Sequence, residues 1–236
     1  FEFKYVINQN TAKAVRQLLC EYGMKPDPKA KQGSYTVTSL YFDSYNLSDY
    51  YDKSGGFLQR KKIRMRIYQP YLTKDVNEIW LEKKNKYDMT ISKKRVALTQ
   101  NEYETLLKKS PGMLLKSRQG PDKKMLQEIL WHIINENMQP YVMVRYQRTP
   151  LVYASQPVFK VCFDSNLRAR QAKDLNYYAF DSEVAPANTV IMELKFETML
   201  PKWMGDIIRI FNLRRDAFSK YAQSIDAIRK FDPLPR

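Results

Sequence analysis

Glu193-Leu194-Lys195, late in the chain, repeats a pattern already written in Glu2-Phe3-Lys4 and Glu82-Lys83-Lys84, and Arg64-Met65-Arg66 is a fourth stretch of the same kind. Successive side chains of a strand point to opposite faces, so the paired charges of each stretch share one face while Phe3, Met65 and Leu194 take the other. Any one stretch reads as the solvated side of an ordinary antiparallel sheet. Together they read differently: glutamates at fixed offsets from lysines, with an Arg-x-Arg, supply carboxylate oxygens for a hard cation and a surplus of positive charge for phosphates.

Strands of this character recur from the first residues to beyond residue 190, which predicts a single domain over residues 1–236. A hydrophobic fraction of 44% and an aromatic fraction of 13% are ample for a core. Forty Lys and Arg against twenty-five Asp and Glu leave a formal charge of +15, which strains the compact state by self-repulsion unless a polyanion compensates. Nucleic acid, an anionic membrane surface and condensed phosphate are the partners this allows. Cys20 and Cys162 are too few for a disulfide framework and stand in no zinc spacing, which suits a reduced, cytoplasmic setting. No apolar run reaches membrane-spanning length and no signal peptide is written at the start, so a soluble chain is expected. It opens inside a strand and closes on Phe231-Asp232-Pro233, so flanking segments are expected too.

Along the chain, Phe1 to Ile7 reads as a strand. A helix capped by Asn10 or Thr11 follows, with Ala14, Val15, Leu18, Leu19 and Tyr22 inward. Lys25 to Gly33 reads as a loop, Ser34 to Asp43 as a strand, Asn46 to Ser54 as a short helix, and Lys61 to Tyr68 as a strand with Ile63, Met65 and Ile67 on its apolar face. Val76 to Lys86 and Met89 to Leu98 form a hairpin turning at Tyr87-Asp88, with Lys93 and Arg95 sharing a face. Thr99 and Glu102 write a capping box for a helix to Lys109, and Pro121 or Asp122 starts another with Met125, Leu126, Ile129, Leu130, Ile133 and Ile134 inward. Strands at Tyr141–Tyr153, Val158–Arg168 and Thr189–Glu197 and helices at Trp203–Phe211 and Ser219–Phe231 complete the pattern. The expected class is α+β: a closed antiparallel eight-stranded barrel with helices outside and a charged lumen, which makes sense only if the lumen is a binding tunnel.

Read in order, Phe1-Glu2-Phe3-Lys4-Tyr5, Arg64-Met65-Arg66, Leu81-Glu82-Lys83-Lys84, Lys93-Lys94-Arg95, Tyr146-Gln147-Arg148, Phe163-Asp164 with Arg168 beyond, Met192-Glu193-Leu194-Lys195 and Ser219-Lys220-Tyr221 resemble the vacuolar transporter chaperone (VTC) domain. That family belongs to the triphosphate tunnel metalloenzymes, and the resemblance covers nearly the whole chain. It implies a tunnel of eight antiparallel strands that makes inorganic polyphosphate from ATP with Mn²⁺ or Mg²⁺. By position it implies that Lys4, Arg64, Arg66, Lys84, Lys93, Arg148 and Lys220 contact the triphosphate and the product chain. It further implies that Glu193 binds the metal, with Glu2 and Glu82 as second-choice ligands, and that Tyr146 lies against the nucleobase. Lys195, Arg95 and Ser219 fall in the same signatures and are taken as further ligand contacts. Lys160 stands where the family's arginine is expected, keeping charge but losing the planar fork. Ala217 stands where polymer-making relatives are expected to carry a second lysine, with Arg214 and Arg215 nearby.

Phosphoryl transfer needs in-line positioning and stabilised charge more than covalent catalysis. Arg64, Arg66 and Arg148 are expected to hold the γ-phosphate of ATP, the attacking group being the end of a growing polyphosphate or, in a triphosphatase, water. His132, the one histidine, falls mid-helix and reads as structural, a lone imidazole without partners. Lys220, next to a helix start at Ser219, opposes the helix dipole, which favours a phosphate bound there. Lys13, Lys25, Lys29, Lys31, Lys108, Lys109, Lys123 and Lys124 read as solvated surface. The alternatives are a tunnel triphosphatase, a non-catalytic polyphosphate or inositol-phosphate sensor, and a nonspecific nucleic-acid binder. The last is disfavoured because glutamates share the basic faces and would repel a nucleic-acid backbone. A membrane-protein partner at the cytoplasmic face, receiving the product, is the remaining expected partner.

Overall fold

The computed structural model describes residues 1–88, 90–108, 111–116, 118–179 and 181–231, with the side chains at 111, 157, 230 and 231 also outside the description. The expected strand start at Met89, the helix end at Lys109 and the closing Asp232-Pro233 lie outside the described residues. In chain order the elements are β1 (Glu2–Asn8), α1 (Gln9–Glu21), β2 (Met24–Pro26), β3 (Tyr35–Asp43), α2 (Ser48–Ser54), β4 (Gln59–Ile67), β5 (Ile79–Tyr87) and β6 (Thr90–Leu98). There follow α3 (Gln100–Leu107), α4 (Pro111–Lys116), α5 (Gly120–Asn135), β7 (Gln139–Tyr153), β8 (Gln156–Gln171), β9 (Ser182–Glu183), β10 (Thr189–Lys195), α6 (Lys202–Ile210) and α7 (Lys220–Phe231). Among the described residues the sheet has ten strands. Eight follow one path, β1-β10-β8-β7-β3-β4-β5-β6, with β2 beside β7 and β9 beside β8. The α+β class and eight principal strands match the sequence reading; among the described residues the path ends on β1 and β6, with no pairing between these two that closes the expected barrel. Strands β2 and β9 and helix α4 were not read from the sequence, being too short to show a period.

The chain divides into two compact units. The first holds residues 1–36, 145–168 and 183–220. Its strands put Tyr5, Val161, Phe163, Val190, Met192 and Leu194 on one face, where Val15 and Leu19 of α1 and Met204 and Ile207 of α6 pack on them. Full burial of each such side chain contributes about 1.5–3 kcal/mol. Helix α1 is capped by Asn8, not by Asn10 or Thr11: the Asn8 side chain accepts from the Thr11 N–H. Tyr22 follows the helix end and stacks on Trp203 with ring centroids 5.0 Å apart, and Gly23 supplies the left-handed turn (φ 87°) that leads into β2.

The second unit holds the described residues of 37–144, 169–182 and 221–231. One face of β3–β6, with Leu40, Phe42, Ile63, Met65, Ile67, Ile79, Leu81, Val96 and Leu98, packs on Tyr103, Leu106, Leu114, Leu126, Ile129 and Leu130 of α3, α4 and α5. The β5–β6 turn closes through Asp88 at φ 49°, and the Thr99–Glu102 capping box forms as expected. Ile134, read as inward, is 55% exposed, because α5 turns a stripe of Glu128, His132 and Glu136 toward the sheet instead. Lys83 donates to Glu128 at 3.0 Å, its ammonium lies 2.6 Å from His132 Nε2, and His132 Nδ1 is 2.7 Å from Glu136. Lys94 also pairs with Glu128, and Lys61 reaches Glu136 at 2.6 Å. The histidine expected to stand alone is therefore the middle of a polar seam, and Lys83 and Lys94 are pinned by it.

Candidate functional site

In each unit the face opposite the helices carries charge, and period-two alternation puts it there. In the first unit the antiparallel register sets Lys4 across from Glu193 and Glu2 across from Lys195. On the other side of β10 it sets Glu193 across from Cys162 and Lys195 across from Lys160. The segment after α6 returns along β1: Tyr5 bridges Arg215 and the Asp216 N–H donates to Lys4 O at 2.8 Å. That run delivers Ser219-Lys220 to the charged face, and Lys4 Nζ donates to Phe218 O at 3.1 Å.

The centre of this face is a buried cluster. Arg148 grips Asp164 through Nε at 2.7 Å and Nη2 at 2.6 Å, and its Nη2 also reaches Glu193 at 2.9 Å. Lys220 Nζ sits 2.6 Å from both Asp164 and Glu193. Lys4 and Lys195 approach Glu193 at 3.7 and 3.8 Å, and Glu2 lies 3.4 Å from Lys4. Burial alone would raise the Glu193 carboxyl, but Lys220, Arg148, Lys4 and Lys195 hold it well below the usual range. Burial would lower Arg148 and Lys220, and their carboxylate neighbours raise both instead. The charge of Lys220 at the start of α7 is thus answered by two carboxylates. Tyr146 is 3% exposed and lies beneath Arg148 and Lys220, whose charged groups are 5.3 and 4.8 Å from its ring centroid.

Asp164 was quoted in the sequence only as part of a signature, without a role. Its alternation with Cys162 and Lys160 puts it on the charged face, but its pairing with Arg148 and Lys220 needs the fold.

In the second unit the register aligns side chains in rows across β4, β5 and β6: Arg60–Lys86–Ile91, Lys62–Lys84–Lys93, Arg64–Glu82–Arg95 and Arg66–Trp80–Ala97. These rows hold eight cations and one carboxylate. Like charges directly opposite across a ladder destabilise it, and Lys84 has a lysine opposite it on both sides. Arg64 Nε and Nη2 lie 2.8 and 2.7 Å from Glu82 Oε2 while Nη1 donates to Tyr41 at 2.9 Å. Lys93 reaches the other oxygen of Glu82 at 2.6 Å, and Arg66 donates to Ser39 at 3.0 Å. Burial would raise Glu82, yet Arg64, Arg66 and Lys93 hold it well below the usual carboxylate range. Lys93 is pushed down by burial and by Arg64 and Arg66, with Glu82 opposing. Ser39, Tyr41 and Trp80 were not picked out from the sequence, since isolated polar and aromatic residues in apolar strands carry no signal of their partners. Of the lysines read as solvated, Lys13, Lys25, Lys29, Lys31, Lys108 and Lys124 are exposed and Lys123 is half-buried.

Among the described residues no three His, Cys, Asp or Glu side chains are grouped to hold a metal ion. Glu193 has each oxygen matched to a cation, so among the described residues it heads no preformed cage. A Mg²⁺-like ion needs only one or two carboxylates when phosphate oxygens supply the rest. Glu193, with Glu2 diagonal to it on the next strand, fits an ion that arrives with its phosphate. No helix among the described residues is long and apolar enough to cross a membrane.

The sequence profile of the VTC domain matches residues 1–229. No curated protein sequence matches at a significant level. Among solved structures, a candidate adenylate cyclase from Bacillus halodurans superposes with a TM-score of 0.53 at 11% identity, over 92% of each chain. The PH1819 protein from Pyrococcus horikoshii OT3 gives 0.49 at 10% identity, over 95% of this chain and 97% of that one. A candidate adenylate cyclase from Vibrio parahaemolyticus gives 0.49 at 10% identity, over 96% and 97%.

Proposed function

This chain belongs to the VTC domain family, and from that membership and its two basic sheet faces we propose that it transfers phosphoryl groups of ATP to build inorganic polyphosphate. The observation that carries the reading is the Lys62–Lys84–Lys93 row. With the rows beside it, it makes a face of eight cations and one carboxylate, which suits an anion of closely spaced charges. The closed eight-stranded tunnel around that anion is part of the proposal.

In the proposed reaction the terminal oxygen of the growing chain forms a bond to the γ-phosphorus of ATP. The bond from that phosphorus to the β-bridging oxygen breaks, and ADP leaves. The cations available to spread charge over phosphate oxygens are Arg64, Arg66, Lys84 and Lys93 on the face of the second unit and Arg148, Lys4, Lys160, Lys195 and Lys220 on the face of the first. Ser219 adds a hydroxyl contact, Arg95 a further ligand contact, and Tyr146 supports Arg148 and Lys220 from below. Mn²⁺ or Mg²⁺, held by Glu193 with Glu2, would neutralise charge on the transferring group. Glu82 holds Arg64 and Lys93 in place. Such donors fixed before the substrate arrives are each worth about a hundred- to a thousandfold in rate. On this reading the chain works in the cytoplasm at a membrane's cytoplasmic face, handing its product to a membrane-protein partner.

One observation favours a second reading, hydrolysis of triphosphate without chain growth. Ala217 carries no charge, and the nearby Arg215 lies 3.8 Å over the ring of Phe3, on the apolar side of β1. It therefore does not replace a missing lysine on the charged face. Incubation with ATP and Mn²⁺ or Mg²⁺, followed by gel separation of polyphosphate and assay of orthophosphate, separates the two. Long chains support polymerisation, and orthophosphate alone supports hydrolysis. Full activity in both Arg64→Ala and Glu193→Gln would overturn the site.

A further inference from the structure

The four rows of the second unit are not alike. Three carry cations on β5 or β6, and the row at one end places Trp80 between Arg66 and Ala97. Trp80 shares its face with Glu82 and Lys84, opposite the helix-packed Ile79 and Leu81, and it is half-exposed. An indole on the solvent-accessible, charged side of a sheet is out of place as packing, because the apolar contacts of β5 are all on the other face. The Arg95 guanidinium lies over it, 4.3 Å from the ring centroid, although the register sets Arg95 opposite Glu82. Arg95 thus leaves the row of its own cross-strand neighbour to cover the ring.

Successive rows are two residues apart, so the Lys62–Lys84–Lys93 row and the Trp80 row are separated by about 13 Å of strand. Across that distance the face changes from lysines alone, through arginines with one carboxylate, to an aromatic plate. A nucleoside triphosphate laid along β5 has the same order of chemistry: terminal phosphates, inner phosphates, then a flat base. Tyr146, the aromatic expected at the base, is 3% exposed with its ring under Arg148 and Lys220, which suits it to holding cations rather than meeting a ligand.

We propose that Trp80 and the Arg95 guanidinium stacked on it form the nucleobase platform of this protein, so that ATP lies with its base against this stack and its phosphates toward Lys84. The inference rests on the phosphate-binding reading and deepens it by separating recognition of the base from recognition of phosphate. Stacking is tolerant of base identity, because every base offers a π-face and Arg adds a cation–π contribution. GTP is therefore bound about as well as ATP.

The test compares ATP, GTP and inorganic tripolyphosphate by calorimetric titration of the full chain with and without Mg²⁺. Trp80→Leu keeps apolar bulk without a π-face, and Trp80→Phe keeps a ring. Trp80→Leu is expected to weaken ATP and GTP roughly tenfold or more, with tripolyphosphate unchanged within about twofold, and Trp80→Phe to recover most of the loss. ATP, and not tripolyphosphate, is also expected to quench indole fluorescence in the wild type and much less in Trp80→Phe. Equal losses for ATP and tripolyphosphate in Trp80→Leu would overturn the platform, as would no loss for either. A wild-type chain that binds tripolyphosphate but not ATP would also overturn it while leaving the phosphate reading standing. A chain that binds neither would overturn both.

Discussion

Replacing Asp164 by Asn removes one negative charge from the most enclosed part of the protein while leaving its shape. Asp164 is 1% exposed and takes two hydrogen bonds from Arg148, at 2.7 and 2.6 Å, with the Lys220 ammonium 2.6 Å away. Breaking a buried pair from one side costs about 3–5 kcal/mol, because the partner charge stays buried. Asn keeps one acceptor oxygen, and Glu193 still faces both cations, so the lower end, about 3 kcal/mol, is the expected loss. For a chain of this size that is roughly 6–12 °C in melting temperature. An added polyanion should restore part of it. Arg148 and Lys220 would then be short of a counter-charge, and tripolyphosphate at a hundred times its Kd contributes about 2.7 kcal/mol in any case. Scanning calorimetry with and without tripolyphosphate is the assay. The variant should melt lower than wild type, and tripolyphosphate should raise its melting temperature by more than it raises that of wild type. A melting temperature within a degree or so of wild type, or an equal ligand shift in both, would refute the view that this carboxylate balances cations that also serve the ligand.

Three further outcomes follow from the same geometry. Lys84→Gln should weaken tripolyphosphate binding roughly tenfold, since a charge-assisted hydrogen bond contributes about 1.5–3 kcal/mol; titration calorimetry reads the loss. Glu82 and Glu193 are held below their ordinary value of 4.5, so the folded chain binds fewer protons there and their contribution is present above that pH and lost as pH falls; Glu82→Gln should flatten the acid limb of the stability curve. Asp49 goes the other way. Burial, with Asp43 and Glu136 nearby, raises it from 3.8 to about 7 despite the Lys61 ammonium at 2.9 Å. The folded chain therefore binds its proton more tightly, and stability should decline as pH climbs from about 4 to 7. Asp49→Asn should remove that decline, as urea denaturation at stepped pH would show.

The strands that carry the site were legible because alternation is a local property. Glu2-Phe3-Lys4 and Arg64-Met65-Arg66 announce their faces without any knowledge of neighbours. The capping box at Thr99 and the burial of Ile63, Met65 and Ile67 were readable for the same reason. What pairs with what was not. Asp164 binds a side chain sixteen residues away and another fifty-six away, and no spacing rule connects them. The seam of Lys61, Lys83 and Lys94 against Glu128, His132 and Glu136 was hidden for a related reason: a helix stripe of charge reads as solvent-facing until a strand supplies lysines opposite it. Its presence turned Ile134 outward. Asn8 was overlooked as a cap because it also ends β1, and strand and cap signals overlap there.

The most direct measurement is the affinity of the chain for linear inorganic tripolyphosphate, wild type against Lys62→Gln/Lys84→Gln/Lys93→Gln, at low and high salt. Charge-assisted hydrogen bonds contribute about 1.5–3 kcal/mol each, so the triple variant should bind roughly a hundredfold more weakly or worse. Wild-type affinity should fall steeply as salt is raised. Indistinguishable affinities in the two proteins, or a wild type that ignores tripolyphosphate at low salt, would contradict the assignment of these sheet faces to condensed phosphate.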